Sequence, residues 1–163
     1  MIEMEIKPAL KSQHLAALTM FRQLVSDCPD ELWLSGPHPR SFWRIAYHAL
    51  GYAHLYLYEN LEAWKPWPKH RKECTWLEGE APEMTPYSRE EAIEFIDLIL
   101  SEVEPRIDSL DLTDPQCGFT WYPKVSRVEL LILSLRHLHG HMGQLHELMI
   151  AQGLDVEWLG QRP

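Results

Sequence analysis

Apolar residues recur at helical spacing in four stretches of this chain, with turn-forming residues between them. In the first stretch, Leu10, His14, Ala17, Leu18, Phe21, Leu24 and Val25 fall on one face. Pro8 suits a first helical turn, where its missing N–H costs nothing, and Pro29 cannot continue a helix. A helix is therefore expected from about Pro8 to Ser26. Asp27 to Arg40 holds Pro29, Gly36, Pro37 and Pro39 and reads as a loop, with Leu32, Trp33 and Leu34 forming a short ordered turn. Ser41 fits the N-cap of a second helix over Phe42 to Trp64, whose buried face carries Ile45, His48, Ala49, Tyr52, Leu55, Tyr56 and Glu59.

The remaining elements follow from capping and turn chemistry. Trp64 to Tyr87 has Pro66, Pro68, Pro82 and Pro86 but also three tryptophans, which points to an irregular connection packed on the body. It is long enough to cross a bundle from end to end. Ser88-Arg89-Glu90-Glu91 and Ser126-Arg127-Val128-Glu129 are capping boxes, in which Ser and Glu satisfy each other's orphan N–H groups. They open a third helix, which Pro105 ends near Glu104 or kinks on toward Leu110, and a fourth, which runs to about Gln152 before Gly153. Between them Asp111 to Lys124 is a loop in which Phe119 to Trp121 is briefly extended. The tail from Leu154 folds back in part. Four long helices without a strand make an all-α chain, a four-helix bundle in a single domain over residues 1–163.

Composition narrows the function. The formal charge is −9, so no basic surface is available for phosphates, and nucleic acid is not an expected partner. Cys28, Cys74 and Cys117 are odd in number and form no CxxC, so neither a disulfide framework nor a cysteine zinc site is indicated. No signal-like segment and no run of eighteen apolar residues is present, so a cytoplasmic protein with no membrane contact is expected.

The chemistry concentrates in the fourth helix. Of nine histidines, His137, His139 and His141 lie within one short stretch. Residues four apart share a helix face, so His137 and His141 point together while His139 points elsewhere. Their stripe, Leu130, Ser134, His137, His141, Gln144 and Leu148, is apolar at its ends and polar in its middle. His48, also mid-helix on a core-facing stripe, is the best third partner. Three imidazoles leave positions open around a metal, as catalytic sites do. Glu59, Gln144 and Glu147 are candidates to orient the ligands. Trp43, Tyr47, Tyr52, Trp67, Trp76 and Trp121 are candidate apolar walls, or else ordinary core and loop packing. HxxxH lacks the internal Glu of HExxH, so zincin-type proteolysis is not indicated. His139 and His146 lie on another face and read as surface or interface residues, and His14 reads as a hydrogen-bonded core histidine or as one that lines a polar pocket.

Ser41-x-Trp43-x-x-x-x-His48 and His137-x-x-x-His141-x-Gly143-Gln144 together resemble the DinB/YfiT-like family of metal-binding four-helix bundles. The similarity covers nearly the whole chain. It implies up-up-down-down topology, a long crossover between the second and third helices, and a homodimer. It also implies His48, His137 and His141 as ligands of a divalent metal, commonly zinc or nickel. His139 departs from the pattern and leaves a second choice for one ligand. Relatives of that kind run thiol-dependent chemistry: S-transfer from bacillithiol, mycothiol or glutathione, and a mycothiol-dependent isomerisation. The implied function is a metal-dependent enzyme that activates a low-molecular-weight thiol, or water, toward a small molecule. The alternative is a non-catalytic metal- or ligand-binding stress-response protein.

Overall fold

The computed structural model describes residues 2–163, and among them every regular element is helical. The long helices are α1 (Ile2–Asp27), α3 (Phe42–Leu55), α4 (Arg89–Ser109) and α5 (Arg127–Ile150), with a four-residue α2 (Asp30–Trp33) after α1. Among the described residues no helix is long and apolar enough to cross a membrane.

Ion pairs and ring contacts give the directions. Lys11 meets Asp108 and Arg22 meets Asp97, each at 2.7 Å, so α1 and α4 are antiparallel. His48 faces His141 and Tyr52 faces His137, so α3 and α5 are antiparallel too. Tyr47 meets Phe95 while His54 meets Glu102, so α3 and α4 run the same way. The order is up, down, down, up, which corrects the expected up-up-down-down. Each pair of successive parallel helices needs a connection as long as the bundle. Only the segment from Tyr56 to Ser88 has that length, and it is the crossover the proline-rich stretch foretold.

One helix end departs from expectation. α1 starts well before Pro8, which sits inside the helix at the loss of one backbone hydrogen bond. α4 passes Pro105 and reaches Ser109, the second of its two expected ends. The proline is on the exposed side, where the freed carbonyl can turn to water. Both capping boxes are formed as spelled. Ser41 occupies its N-cap position, although its side chain makes no capping bond.

The larger correction concerns α3, which stops at Leu55 rather than Trp64. The apolar pattern continues because Tyr56, Leu57 and Tyr58 stay buried, but their backbone turns away. Arg127, itself buried, donates from its guanidinium to the carbonyls of Tyr58 and Glu59 at 3.2 and 2.8 Å. Gly118 closes against the same carbonyl. A Cβ there would lie 2.0 Å from the Glu59 oxygen, and its φ is +84°. Gly118→Ala should therefore destabilise the fold by more than the ~1–2 kcal/mol of positive φ alone, read as a lowered urea midpoint. The segment Phe119 to Trp121 forms turns, not extended backbone, around this closure.

The crossover packs as its aromatics suggested. Trp67 is 3 % exposed and stacks on Phe95, with centroids 4.9 Å apart. Trp33 donates to the Tyr87 carbonyl at 2.8 Å, and Tyr87 to the Lys69 carbonyl at 2.6 Å. The buried Arg44 guanidinium donates to the carbonyls of Pro82 and Glu73. The tail is more firmly held than expected. Val156 is buried, Gly160 accepts from Gln13, and Arg162 pairs with Glu104.

Candidate metal centre

His48, His137 and His141 converge between the antiparallel α3 and α5. One ligand-type nitrogen from each ring lies within 4.8 Å of the others, and the Nε2 atoms of His48 and His137 are 3.1 Å apart. Two nitrogens on one tetrahedral zinc ion at about 2.0–2.1 Å would be about 3.3 Å apart, so the spacing suits a single ion.

Hydrogen-bond partners set which nitrogen is free. His48 Nδ1 is 2.6 Å from the Thr75 carbonyl, which can only accept, so Nδ1 carries the proton and Nε2 presents a lone pair. His141 Nδ1 is 2.9 Å from Gln144 Oε1, which places its lone pair on Nε2 as well. The His48–His137 contact then needs a proton on His137 Nε2, and that proton is the one a metal ion displaces. Burial pushes the His48 imidazole down to about 4, with the charges of His141 and Arg40 adding to it and the Thr75 carbonyl opposing. Burial likewise holds His137 at about 4, helped by His48, His141 and Arg136. Neutral rings near pH 7 are what metal ligation requires. The donor set therefore fits a divalent ion.

The Thr75 carbonyl reaches His48 because the crossover is tied down around it. Lys72–Thr75 is a 3-10 turn closed by Thr75 Oγ1 on the Lys72 carbonyl, and Arg44 holds the Glu73 carbonyl within that turn. Gly51 lets the turn approach α3, since a Cβ at that position would be 3.3 Å from Thr75 Cγ2. No side-chain pattern announces a backbone acceptor, so sequence reasoning had no means of finding Thr75.

Of the proposed orienting residues, only Gln144 touches a ligand. Glu59 lies past the end of α3, with its carbonyl on Arg127, and neither it nor Glu147 lines the site. His139 packs edge-on against Trp158, and His146 pairs with Asp155 at 2.7 Å, so both serve the tail and neither joins the centre. Tyr52, Trp76 and Trp121 are walls, whereas Trp43, Tyr47 and Trp67 are core.

Two adjoining cavities flank the centre, of about 640 and 510 Å³, and both include His48 and His137 in their walls. The larger is mostly aromatic and aliphatic. Lys72 is its one charged wall residue among the described residues, and His70, hydrogen-bonded to the Tyr47 hydroxyl at 2.8 Å, also faces it. The smaller is polar, with Arg40, Glu78 and His141.

Two further histidines, His14 and His54, are structural. His14 is buried, donates from Nδ1 to the Leu10 carbonyl at 2.8 Å, and leaves Nε2 without a partner. His54, buried against Glu102, accepts from the Trp64 indole. Burial lowers both pKa values, for His54 despite the opposing Glu102. The unfolded chain therefore binds protons that the fold refuses once pH falls below about 6.5. Each such proton tilts stability by up to about 1.4 kcal/mol per pH unit. The urea midpoint should be level above pH 7 and fall steadily between pH 6.5 and 5, with His14→Leu lessening the slope.

Comparison of the chain with family models, with curated proteins and with solved structures gave no match.

Proposed function

We propose that this chain is a metal-dependent enzyme of thiol-transferase type, a cytoplasmic member of the DinB/YfiT-like bundles, with its ion held by His48, His137 and His141. One observation carries the reading. Imidazoles from two helices, about ninety residues apart in sequence, meet with the lone pairs of His48 and His141 freed by dedicated carbonyl partners. Buried His14 also has a carbonyl partner on Nδ1, but among the described residues no other imidazole faces it, so it is the convergence of three rings that sets the centre apart.

A divalent ion, zinc or nickel by the resemblance, would lower the pKa of a thiol or water and so supply a nucleophile near neutral pH. The chain's own residues do the rest. Thr75 and Gln144 hold the rings in register and keep the Nδ1 protons away from the centre. The aromatic cavity gathers an apolar electrophile beside His48 and His137 and sheds its water. In the transfer the thiol's proton passes to water, sulfur forms a bond to the electrophilic carbon, and the carbon's bond to chlorine or to the epoxide oxygen breaks with its electron pair, giving chloride or an alkoxide that takes a proton from water. The same likeness carries a homodimer with it, which sedimentation equilibrium would check.

The test has two stages. Purified protein reconstituted with zinc or nickel should conjugate low-molecular-weight thiols to a chloronitrobenzene or an epoxide, and His137→Ala should abolish this. Metal held by the wild type with no turnover for any thiol would contradict catalysis and favour the metal-holding alternative.

A further inference from the structure

The two cavities at the histidine centre differ in chemistry while sharing a wall. In the larger one, Tyr52, Tyr56 and Leu133 form the interior, and no Asp or Glu among the described residues lines it, in a chain of net charge −9. Trp76, Trp121 and Leu61 lie at this cavity and remain 41, 45 and 53 % exposed. They are three of the large apolar side chains that the fold leaves in water. A cavity of this kind recovers solvation free energy by taking up a hydrocarbon or aryl group.

The smaller cavity offers the opposite. Arg40 and Glu78 both line it, and neither side chain makes a hydrogen bond or ion pair among the described residues. A guanidinium with all its donors unspent is a ready fork for a carboxylate. Glu78 on the same cavity offers an acceptor for an ammonium. His141 lines this cavity and not the larger one, whereas His48 and His137 line both.

We propose that the two cavities hold the two reactants at once: the aromatic one takes the electrophile through an aryl or branched apolar group, and the polar one takes a small thiol whose carboxylate Arg40 binds. This rests on the thiol-transferase reading and adds to it the side from which each reactant enters and the class of thiol selected. Arg40 is then a positioning residue, setting thiol affinity without touching the ion.

Cobalt-loaded protein tests this by binding alone, since a thiolate on cobalt gives a near-ultraviolet charge-transfer band. The probes are 3-mercaptopropionate, 2-mercaptoethanol and the neutral fluorophore N-phenyl-1-naphthylamine. The carboxylate thiol should bind about tenfold more tightly than the hydroxyl thiol, and Arg40→Gln should erase that difference while leaving 2-mercaptoethanol unchanged. The naphthylamine should brighten with or without saturating thiol, and its affinity should fall in Leu133→Trp and in the surface variant Leu61→Asp while the thiol band persists. A preference for the carboxylate that survives Arg40→Gln would overturn the placement, as chelation by the ion would then explain it. Displacement of the naphthylamine by 3-mercaptopropionate would overturn it equally. No charge-transfer band with either thiol would overturn the thiol-transferase reading itself.

Discussion

Replacing His48 with alanine is expected to weaken divalent-metal binding by on the order of a thousandfold. Loss of an outer partner alone typically costs about 10–100-fold, and His48 is a direct ligand candidate. Its neighbours make the comparison informative. Gln144→Leu removes only the acceptor that fixes the His141 ring, so it should cost about 10–100-fold and leave the stoichiometry intact. His139→Ala, on the face turned toward Trp158, should cost nothing in affinity. The same series reads out in stability. Free metal at a hundred times its Kd should stabilise the wild type by about 2.7 kcal/mol. His48→Ala should lose that increment in a calorimetric or urea titration and otherwise fold normally, because the side chain is only half-buried at the edge of a cavity. Equal metal affinity in His48→Ala and wild type would remove α3 from the centre.

Phe95→Ala should give the largest loss of stability, about 3–5 kcal/mol, the range for truncating a buried phenylalanine. Phe95 is 1 % exposed. Its ring touches Trp67 from the crossover and Tyr47 and His54 from α3. One ring thus joins the crossover to the two parallel helices that it connects. The loss therefore reaches the metal centre. Trp67 and Tyr87 sit on this cluster, the turn that carries Thr75 lies between them in sequence, and the Thr75 carbonyl sets the His48 tautomer. Phe95→Ala should lower metal affinity as well as the urea midpoint, even though Phe95 touches no ligand. A destabilised variant with unchanged metal affinity would mean that the crossover does not govern His48.

What could be read from the chain in advance divides along a physical line. Local signals held. The two Ser-x-x-Glu boxes opened α4 and α5 at the residues that spell them, and the i, i+4 geometry that set His139 apart from His137 and His141 is seen in three dimensions. His48 was legible because an imidazole in mid-helix on an apolar face calls for a partner. Non-local determinants were not legible. α3 ends at Leu55 because Arg127, far along the chain, captures the carbonyls beyond it and Gly118 leaves room for that closure, while the burial of Tyr56 to Tyr58 keeps the apolar pattern running. The helix directions depended on which connection crosses the bundle. The same holds at the centre. Gln144 is one turn from His141 and could be named, whereas Thr75 acts through a carbonyl that every residue type possesses, and Arg40 and Glu78 come from loops with no spacing signal.

The central claim is that His48, His137 and His141 hold one divalent ion, and X-ray absorption on metal-loaded protein, combined with elemental analysis, tests it most directly. The expected result is roughly one ion per chain with three imidazole nitrogens, at about 2.0–2.1 Å if the metal is zinc, and its loss in the His137→Ala/His141→Ala double variant. An ion absent after reconstitution, or one retained unchanged by that variant, would contradict it.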